Sequence, residues 1–166
     1  MSAEKTSILT QQLKTIELFE ALTDEELGLL EVIVTKEFFS KNHVIVKEGE
    51  IGDKLFMITR GDVEILKHTA YGDEYTCDYL PESLHLFFGE FSLLDNDVRS
   101  ATVKAVTPVE ALVLQRVSFL SFCETNKAIG YKIMKAIAMR LASRLRKADK
   151  DIITLFEALV DEIGTY

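Results

Sequence analysis

Residues 54–68 read KLFMITRGDVEILKH, two runs of large apolar and β-branched residues joined by Gly61 and Asp62. Such runs favour β-strands, and a glycine beside an aspartate favours a tight turn between them. The stretch therefore predicts two strands, Lys54–Arg60 and Val63–His68, that follow one another directly along the chain.

Further runs of apolar and β-branched residues lie on both sides of this pair and are separated by glycine and aspartate. They predict strands at 32–39, 43–47, 75–80, 84–88, 98–106 and 110–114. About eight short strands at regular spacing indicate a closed β-roll or jelly-roll barrel. The fold class that we expect is mainly β with flanking helices (α+β).

Helical patterns flank the predicted barrel. Near the start, Leu9, Leu13 and Ile16 recur at helical spacing, and Thr23 followed by Glu26 is a capping box that begins another short helix. After the strands, residues 117–125 predict a short helix, and residues 127–163 predict one long helix, because they contain no proline and a single glycine. We expect one structural domain, in which residues 1–126 hold the N-terminal helices and the barrel and residues 127–166 form a lid or dimerisation helix.

The long helix carries an apolar stripe with the heptad spacing of a two-stranded coiled coil. The stripe consists of Tyr131, Met134, Ala138, Leu141, Leu145, Ala148, Ile152, Leu155 and Leu159. It predicts a parallel homodimer through this helix. A second row, Ile129, Ile133 and Ile137, lies off the stripe and is expected to pack on the barrel. The alternative is an amphipathic helix lying along its own domain, which explains the first half better than the second.

Charge and composition exclude several classes of protein. The 166 residues include 19 basic and 27 acidic side chains, a net charge of −8 that disfavours nucleic acid as a partner, although residues 127–150 carry a net charge of +7. No run of about 18 apolar residues is present, so we expect no membrane association. Two cysteines, Cys77 and Cys123, are too few for a disulfide framework, and we expect two buried thiols in the reducing cytoplasm.

The segment with the most chemical information, residues 88–101, reads FGEFSLLDNDVRSA. Gly89 ends a strand, a one-turn helix begins at Glu90, and Arg99 follows that helix. The N–H groups at a helix start, together with an arginine, suit a phosphate, and a carboxylate accepts hydrogen bonds from hydroxyls. The segment therefore indicates a pocket for a phosphorylated sugar. The alternative is that Arg99 pairs with Asp95 or Asp97 on a solvated loop.

The same segment resembles the phosphate-binding cassette of cyclic-nucleotide-binding domains, whose pattern is Gly-Glu, a short helix, then Arg, a small residue and Ala. Upstream, residues 45–61 read IVKEGEIGDKLFMITRG, which is similar to the second signature of that family, a Gly-x-x-Gly turn flanked by apolar residues and a closing glycine. The early LFEALTDEEL at 18–27 and the long C-terminal helix are also family features. The resemblance covers nearly the whole chain and implies a β-roll that binds a cyclic nucleotide.

The resemblance also implies roles for individual residues. It implies that Arg99 pairs with the cyclic phosphate and that Glu90 binds the ribose 2′-hydroxyl. The remainder of the phosphate site is expected to comprise Gly89, Phe91, Ser92, Ser100 and Ala101. Family members that bind cGMP often carry threonine beside the arginine, so the serine at position 100 favours cAMP over cGMP as the ligand.

Three further residues are candidates for contact with the purine. Arg144 falls at the helix position that reaches the base in bacterial relatives, where it replaces a Thr-Ser pair; it either stacks on the purine or is a solvated member of the basic stretch. Ile65 and Phe88 are candidates for apolar walls of the pocket, or else plain core. Residues 83–86, before the cassette, depart from the family's Gly-Asp, so this loop is expected to close differently over the pocket.

The function that these residues predict is a stand-alone cyclic-nucleotide sensor that passes its occupancy to an unidentified partner protein through the C-terminal helix. The alternatives are a dimeric scaffold with a silent pocket and a transcription-regulator-like sensor that lacks a DNA-binding domain. The histidines are far apart in the sequence, and no serine or cysteine has a placed histidine and acid. We therefore expect neither a metal cofactor nor catalysis.

Overall fold

The computed structural model describes residues 7–69, 71–82, 86–95 and 98–163. Within them the chain forms the strands β1 (Val34–Phe39), β2 (Val44–Val46), β3 (Lys54–Arg60), β4 (Val63–His68), β5 (Glu74–Leu80), β6 (Phe87–Phe88), β7 (Thr102–Ala105) and β8 (Val109–Gln115). The strands make two four-stranded sheets, in the orders β1-β8-β3-β6 and β2-β7-β4-β5. Neighbouring strands are antiparallel, and the predicted jelly-roll is confirmed.

The helices of the described residues are α1 (Ile8–Lys14), α2 (Asp24–Leu30), α3 (Phe91–Leu94), α4 (Arg116–Thr125) and α5 (Lys127–Ile163), with short 3₁₀ helices at Glu17–Phe19 and Glu31–Ile33. The capping box is confirmed, because the Thr23 hydroxyl accepts from the Glu26 amide and the Glu26 carboxylate accepts from the Thr23 amide. The single long helix predicted over 127–163 is confirmed as well.

The sheet β1-β8-β3-β6 is covered on both faces, which explains why β3 and β8 are apolar almost throughout. Alternate residues point to opposite faces of a strand. Leu55 and Met57 belong to the core beneath the helices, whereas Phe56 and Ile58 belong to the core between the two sheets. A strand with one solvated face would show alternating polarity instead, so the continuous apolar run in 54–58 reflects this two-sided burial.

The first half of α5 is fixed to the rest of the domain. Ile129, Ile133 and Ile137 are buried in the same cluster as side chains of β3, β8 and the N-terminal helices, so the predicted second apolar row is confirmed. A Cβ at Gly130 would lie 2.9 Å from the Cβ of Cys123. The helices α4 and α5 therefore approach this closely because residue 130 has no side chain.

Two ion pairs join the N-terminal helices to α5. The Lys132 ammonium contacts the Glu26 carboxylate at 2.7 Å, and the Arg140 guanidinium contacts the Glu17 carboxylate at 3.0 Å. Both pairs are partly exposed, and each contributes at most about 1 kcal/mol. Together with the isoleucine row they define the part of α5, up to about Leu141, that is anchored.

Three predicted strand boundaries differ from the observed ones. Val32 lies in a 3₁₀ helix, so β1 starts at Val34. The strand predicted at 98–106 starts at Thr102, because the Arg99 backbone is bonded to the loop at Gly49 and Glu50 rather than to a ladder. The strand predicted at 84–88 is reduced to Phe87–Phe88, and residues 83–85 lie outside the described residues.

The expectation of two buried thiols is wrong for one of them. Cys77 is exposed, because it lies on β5 at the edge of its sheet, whereas Cys123 is half-buried between α4 and α5. Burial raises the pKa of the Cys123 thiol. Separately, none of the described helices is both long enough and apolar enough to cross a membrane.

The anchoring of α5 can be tested by Ile133→Ala, which removes a side chain with 0% exposure. The change leaves a cavity beneath the helices, and we expect the free energy of unfolding to fall by about 2–5 kcal/mol. Urea denaturation followed by circular dichroism measures this loss. The control Val117→Ala, at an exposed position of α4, should change stability by less than about 0.5 kcal/mol. Equal stabilities for the two variants would contradict the described packing.

Candidate functional site

A cavity of about 500 Å³ lies between the sheet β2-β7-β4-β5, the segment around α3, and α5. All of the site residues predicted from the sequence line it: Ile65, Phe88, Gly89, Glu90, Phe91, Ser92, Arg99, Ser100, Ala101 and Arg144. Pockets of this size hold ligands of a few tens of atoms. The fold therefore brings residues from β4, the cassette and the long helix to one concave site.

The turn into α3 depends on the glycine before it. Strand β6 ends at Phe88, and Gly89 has φ of 85°, a conformation that favours glycine. A Cβ at this position would lie 2.4 Å from Nη1 of Arg99 and 2.6 Å from the carbonyl oxygen of Lys54. Glu90 is the N-cap residue of α3, as the sequence predicts. Gly89 is thus required both for the turn and for the arginine beside it.

The Arg99 side chain is held by the two segments that it passes. Its Nη1 donates to the hydroxyl of Ser92 at 2.7 Å, and its Nη2 donates to the carbonyl of Lys54 at 2.9 Å. A Cβ at Gly52 would lie 2.4 Å from Nε of Arg99. The guanidinium therefore occupies a channel between two glycines, and the Gly-x-x-Gly turn found in the sequence has a steric role that spacing alone does not reveal.

The electrostatic environment of Arg99 keeps it cationic. Desolvation by burial lowers its pKa, while the carboxylates of Asp53 and Glu90 oppose that shift. Since an arginine starts far above neutral pH, it stays charged in this partly buried position. A guanidinium has five N–H donors, and the bonds to Ser92 and Lys54 use two of them. The site can therefore offer an anion both charge and directed hydrogen bonds.

Glu90 connects the cassette to the long helix. Its side chain is buried at 4% exposure, and Oε1 accepts a hydrogen bond from Nη1 of Arg144 at 2.5 Å. The Arg144 guanidinium also lies 5.3 Å from the centre of the Phe91 ring. A buried carboxylate requires a cation or hydrogen-bond donors. The residue predicted to reach the purine thus has the cassette glutamate and a cassette aromatic ring as its partners in this structure.

Sequence reasoning did not place four charged residues in the cavity: Lys67, Asp78, Asp95 and Arg140. Arg140 lies one helical turn before Arg144, which a helical wheel could have indicated, and its guanidinium lies 4.2 Å from the Phe87 ring. Asp78 pairs with Ile65 across β4 and β5, a register that the sequence does not specify. Its position in the cavity therefore follows from strand pairing alone.

Comparison with known proteins agrees with this geometry. The family profile of the cyclic nucleotide-binding domain matches residues 36–126. The chain is 32% identical to the cyclic AMP receptor protein of Thermus thermophilus over 136 residues, which are 81% of this chain and 60% of that protein. It is 29% identical to a cGMP-dependent protein kinase of Caenorhabditis elegans over 125 residues, which are 72% of this chain and 15% of the kinase.

A solved structure supports the same grouping. The Thermus thermophilus catabolite activator protein superimposes with a TM-score of 0.74 at 30% identity, covering 84% of this chain and 62% of that one. The chain thus spans about 60% of the length of the bacterial relative that it matches. The profile match, the relatives and the cavity around Arg99 and Glu90 together show that this chain belongs to the cyclic nucleotide-binding domain family.

Proposed function

We propose that the protein is a cytoplasmic cAMP sensor, a regulatory protein without catalytic activity that signals occupancy through α5 to a partner protein. The observation that carries this proposal is the bond between Glu90 and Arg144, because it joins the ligand cavity directly to the helix that leaves the domain.

The phosphate of a cyclic nucleotide carries one negative charge, and Arg99 is the cation positioned beside the cassette turn. Charge-assisted hydrogen bonds to a guanidinium are stronger than neutral ones, and partial burial strengthens them further because it lowers the local dielectric constant. Ser92 and the Lys54 carbonyl hold the guanidinium at its place in the cavity wall. The arginine side chain is therefore already ordered in the free protein, so little of its conformational entropy is lost when a ligand binds.

The ribose 2′-hydroxyl is a hydrogen-bond donor, and the Glu90 carboxylate is a buried acceptor in the same cavity. Arg144 occupies Oε1 of that carboxylate. A hydroxyl that binds Glu90 therefore shares or displaces the arginine, and either event changes what holds α5 to the cassette. A ligand shifts a conformational equilibrium only by its difference in affinity for two states, and this contact supplies such a difference.

Two observations support the proposed preference for cAMP over cGMP: the serine at position 100 and the similarity to a bacterial relative. Ser100 lines the cavity beside Arg99, and the Thermus thermophilus relative is named a cyclic AMP receptor protein. The kinase relative is named for cGMP, so cGMP is the comparison ligand in the calorimetric titrations. The alternative of a silent pocket is disfavoured by the intact set of Gly89, Glu90 and Arg99.

A second copy of the chain is the partner that we propose for the outer half of α5. The apolar stripe is exposed in this half of the helix, where the exposed fractions are 64%, 64%, 71% and 53% for Leu145, Ile152, Leu155 and Leu159. A contiguous apolar surface of this kind marks an interaction site in a soluble protein. Leu141 packs partly against the domain core, so the exposed part of the stripe begins after this residue. The parallel homodimer predicted from the heptads buries these side chains.

A second candidate function is the sensor part of a transcription regulator. It is favoured by the match to the Thermus thermophilus relatives, which extends over about 60% of each. The nucleotide site and its connection to α5 would be the same in that case. The two candidates differ in what α5 contacts, another protein or a DNA-binding unit.

The phosphate assignment predicts the effect of Arg99→Ala. Loss of the charge and its hydrogen bonds should weaken nucleotide binding by about 100-fold or more while the circular dichroism spectrum stays unchanged. Calorimetric titration with cAMP and cGMP, after mass spectrometry for nucleotide carried through purification, measures this. Arg60→Ala, at the exposed end of β3, is the matched control. Unchanged affinity in the Arg99 variant would contradict the assignment.

The coupling through Glu90 predicts the behaviour of Arg144→Ala. We expect cAMP to bind within about tenfold of the original affinity, because Arg99 still holds the phosphate. The ligand-dependent change in amide hydrogen exchange over residues 141–150 should be lost, because the helix no longer contacts the carboxylate. Arg146→Ala serves as a control on the same basic stretch. If the exchange response persists in Arg144→Ala, another contact carries the signal.

The proposed dimer interface along the apolar stripe predicts the effect of the double change Leu145→Asp and Ile152→Asp. Two carboxylates in an apolar interface should yield monomers, which light scattering after gel filtration detects. The control pair Lys150→Asp and Thr154→Asp places the new charges off the stripe and should leave the dimer intact. A monomeric original protein would refute the interface.

A further inference from the structure

The nucleotide cavity extends away from the cassette along one row of paired residues. Ile65 on β4 pairs with Val103 on β7 and with Asp78 on β5, and all three line the cavity. Paired strands lie about 4.8 Å apart, so this row carries the cavity wall about 10 Å from Val103, near the cassette, to Asp78 at the sheet edge. A ligand with its phosphate at Arg99 therefore has its far end beside Ile65 and Asp78.

The residues at this end of the cavity are of two kinds, apolar and acidic. Ile65 and Leu80 present apolar surface, which suits the flat face of a purine. Asp78 places a carboxylate at the end of that surface. Its Oδ1 accepts from the Tyr79 amide at 2.9 Å, and within the described residues the side chain has no other hydrogen bond or ion pair. The second oxygen is an acceptor at the place where the edge of the base would lie.

A carboxylate discriminates among purines because it only accepts hydrogen bonds. Adenine carries an amino donor at C6 and an acceptor nitrogen at N1, whereas hypoxanthine carries a carbonyl at C6 and an N–H donor at N1. Guanine also carries a carbonyl at C6, and its amino group lies across the ring at C2. A carboxylate that faces C6 therefore favours adenine, whereas one that faces N1 would favour hypoxanthine and guanine.

We propose that Asp78 is the residue that determines base specificity, accepting a hydrogen bond from the C6 amino group of adenine. The proposal rests on the proposed function, since it concerns the same nucleotide site. It assigns the choice of base to the edge strand β5, and leaves phosphate and ribose binding to the cassette.

The test compares cAMP, cGMP and cyclic inosine monophosphate, the hypoxanthine analogue, by calorimetric titration. The original protein should bind cAMP at least about tenfold more tightly than the inosine analogue, the effect of one hydrogen bond to a charged group. In Asp78→Ala the affinity for cAMP should fall about tenfold and that for the analogue should stay within about twofold, so that the preference disappears. Because Asp78 is exposed in the free protein, its replacement should leave thermal stability unchanged.

The matched control is Glu74→Gln, which neutralises a carboxylate on the same strand outside the cavity and should keep the original preference. An unchanged ratio of cAMP to inosine affinity in Asp78→Ala would overturn the proposal. A preference for cGMP that Asp78→Ala abolishes would keep Asp78 as the base-reading residue but overturn its contact with the C6 amino group. Failure of the original protein to bind any of the three nucleotides would instead overturn the proposed function, and this result is distinct from the others.

Discussion

The shape of the cavity at the cassette depends on the passage of the Arg99 side chain between two glycines. Any side chain at Gly52 or Gly89 would lie 2.4 Å from atoms of this guanidinium. The arginine also bonds to the Lys54 carbonyl and to Ser92, so it fixes the loop before β3 against the turn into α3. Arg99 thus joins two backbone segments that are far apart in the sequence.

Glu90 gives this arrangement its connection to the long helix. A buried carboxylate must have a partner, and in this structure the partner is Arg144. The part of α5 before Leu141 is anchored by the isoleucine row and by the pairs of Lys132 and Arg140 with the N-terminal helices. The contact between Glu90 and Arg144 therefore lies where the anchored part of the helix ends and its exposed apolar stripe begins.

The elements of the fold could be predicted well where their signal is local. The long helix, the capping box at Thr23 and the strand pair around Gly61 follow from periodicity and turn chemistry. The errors fall at 32–33, at 98–101 and at Leu86, where residues with strand-like composition lie outside the strands. Arg99 bonds instead to the loop at Gly49 and Glu50, a partner some fifty positions away that no local pattern indicates.

The sequence by itself determined the fold class, because glycine conformations, capping and apolar periodicity act between near neighbours, and it pointed to ten residues that the fold then brings to one cavity. The tertiary structure alone decided which charges meet. Arg144 and Glu90 are 54 positions apart, and Asp78 enters the cavity through its pairing with Ile65. Such contacts depend on helix packing and strand register, which many residues set together, so no single motif encodes them.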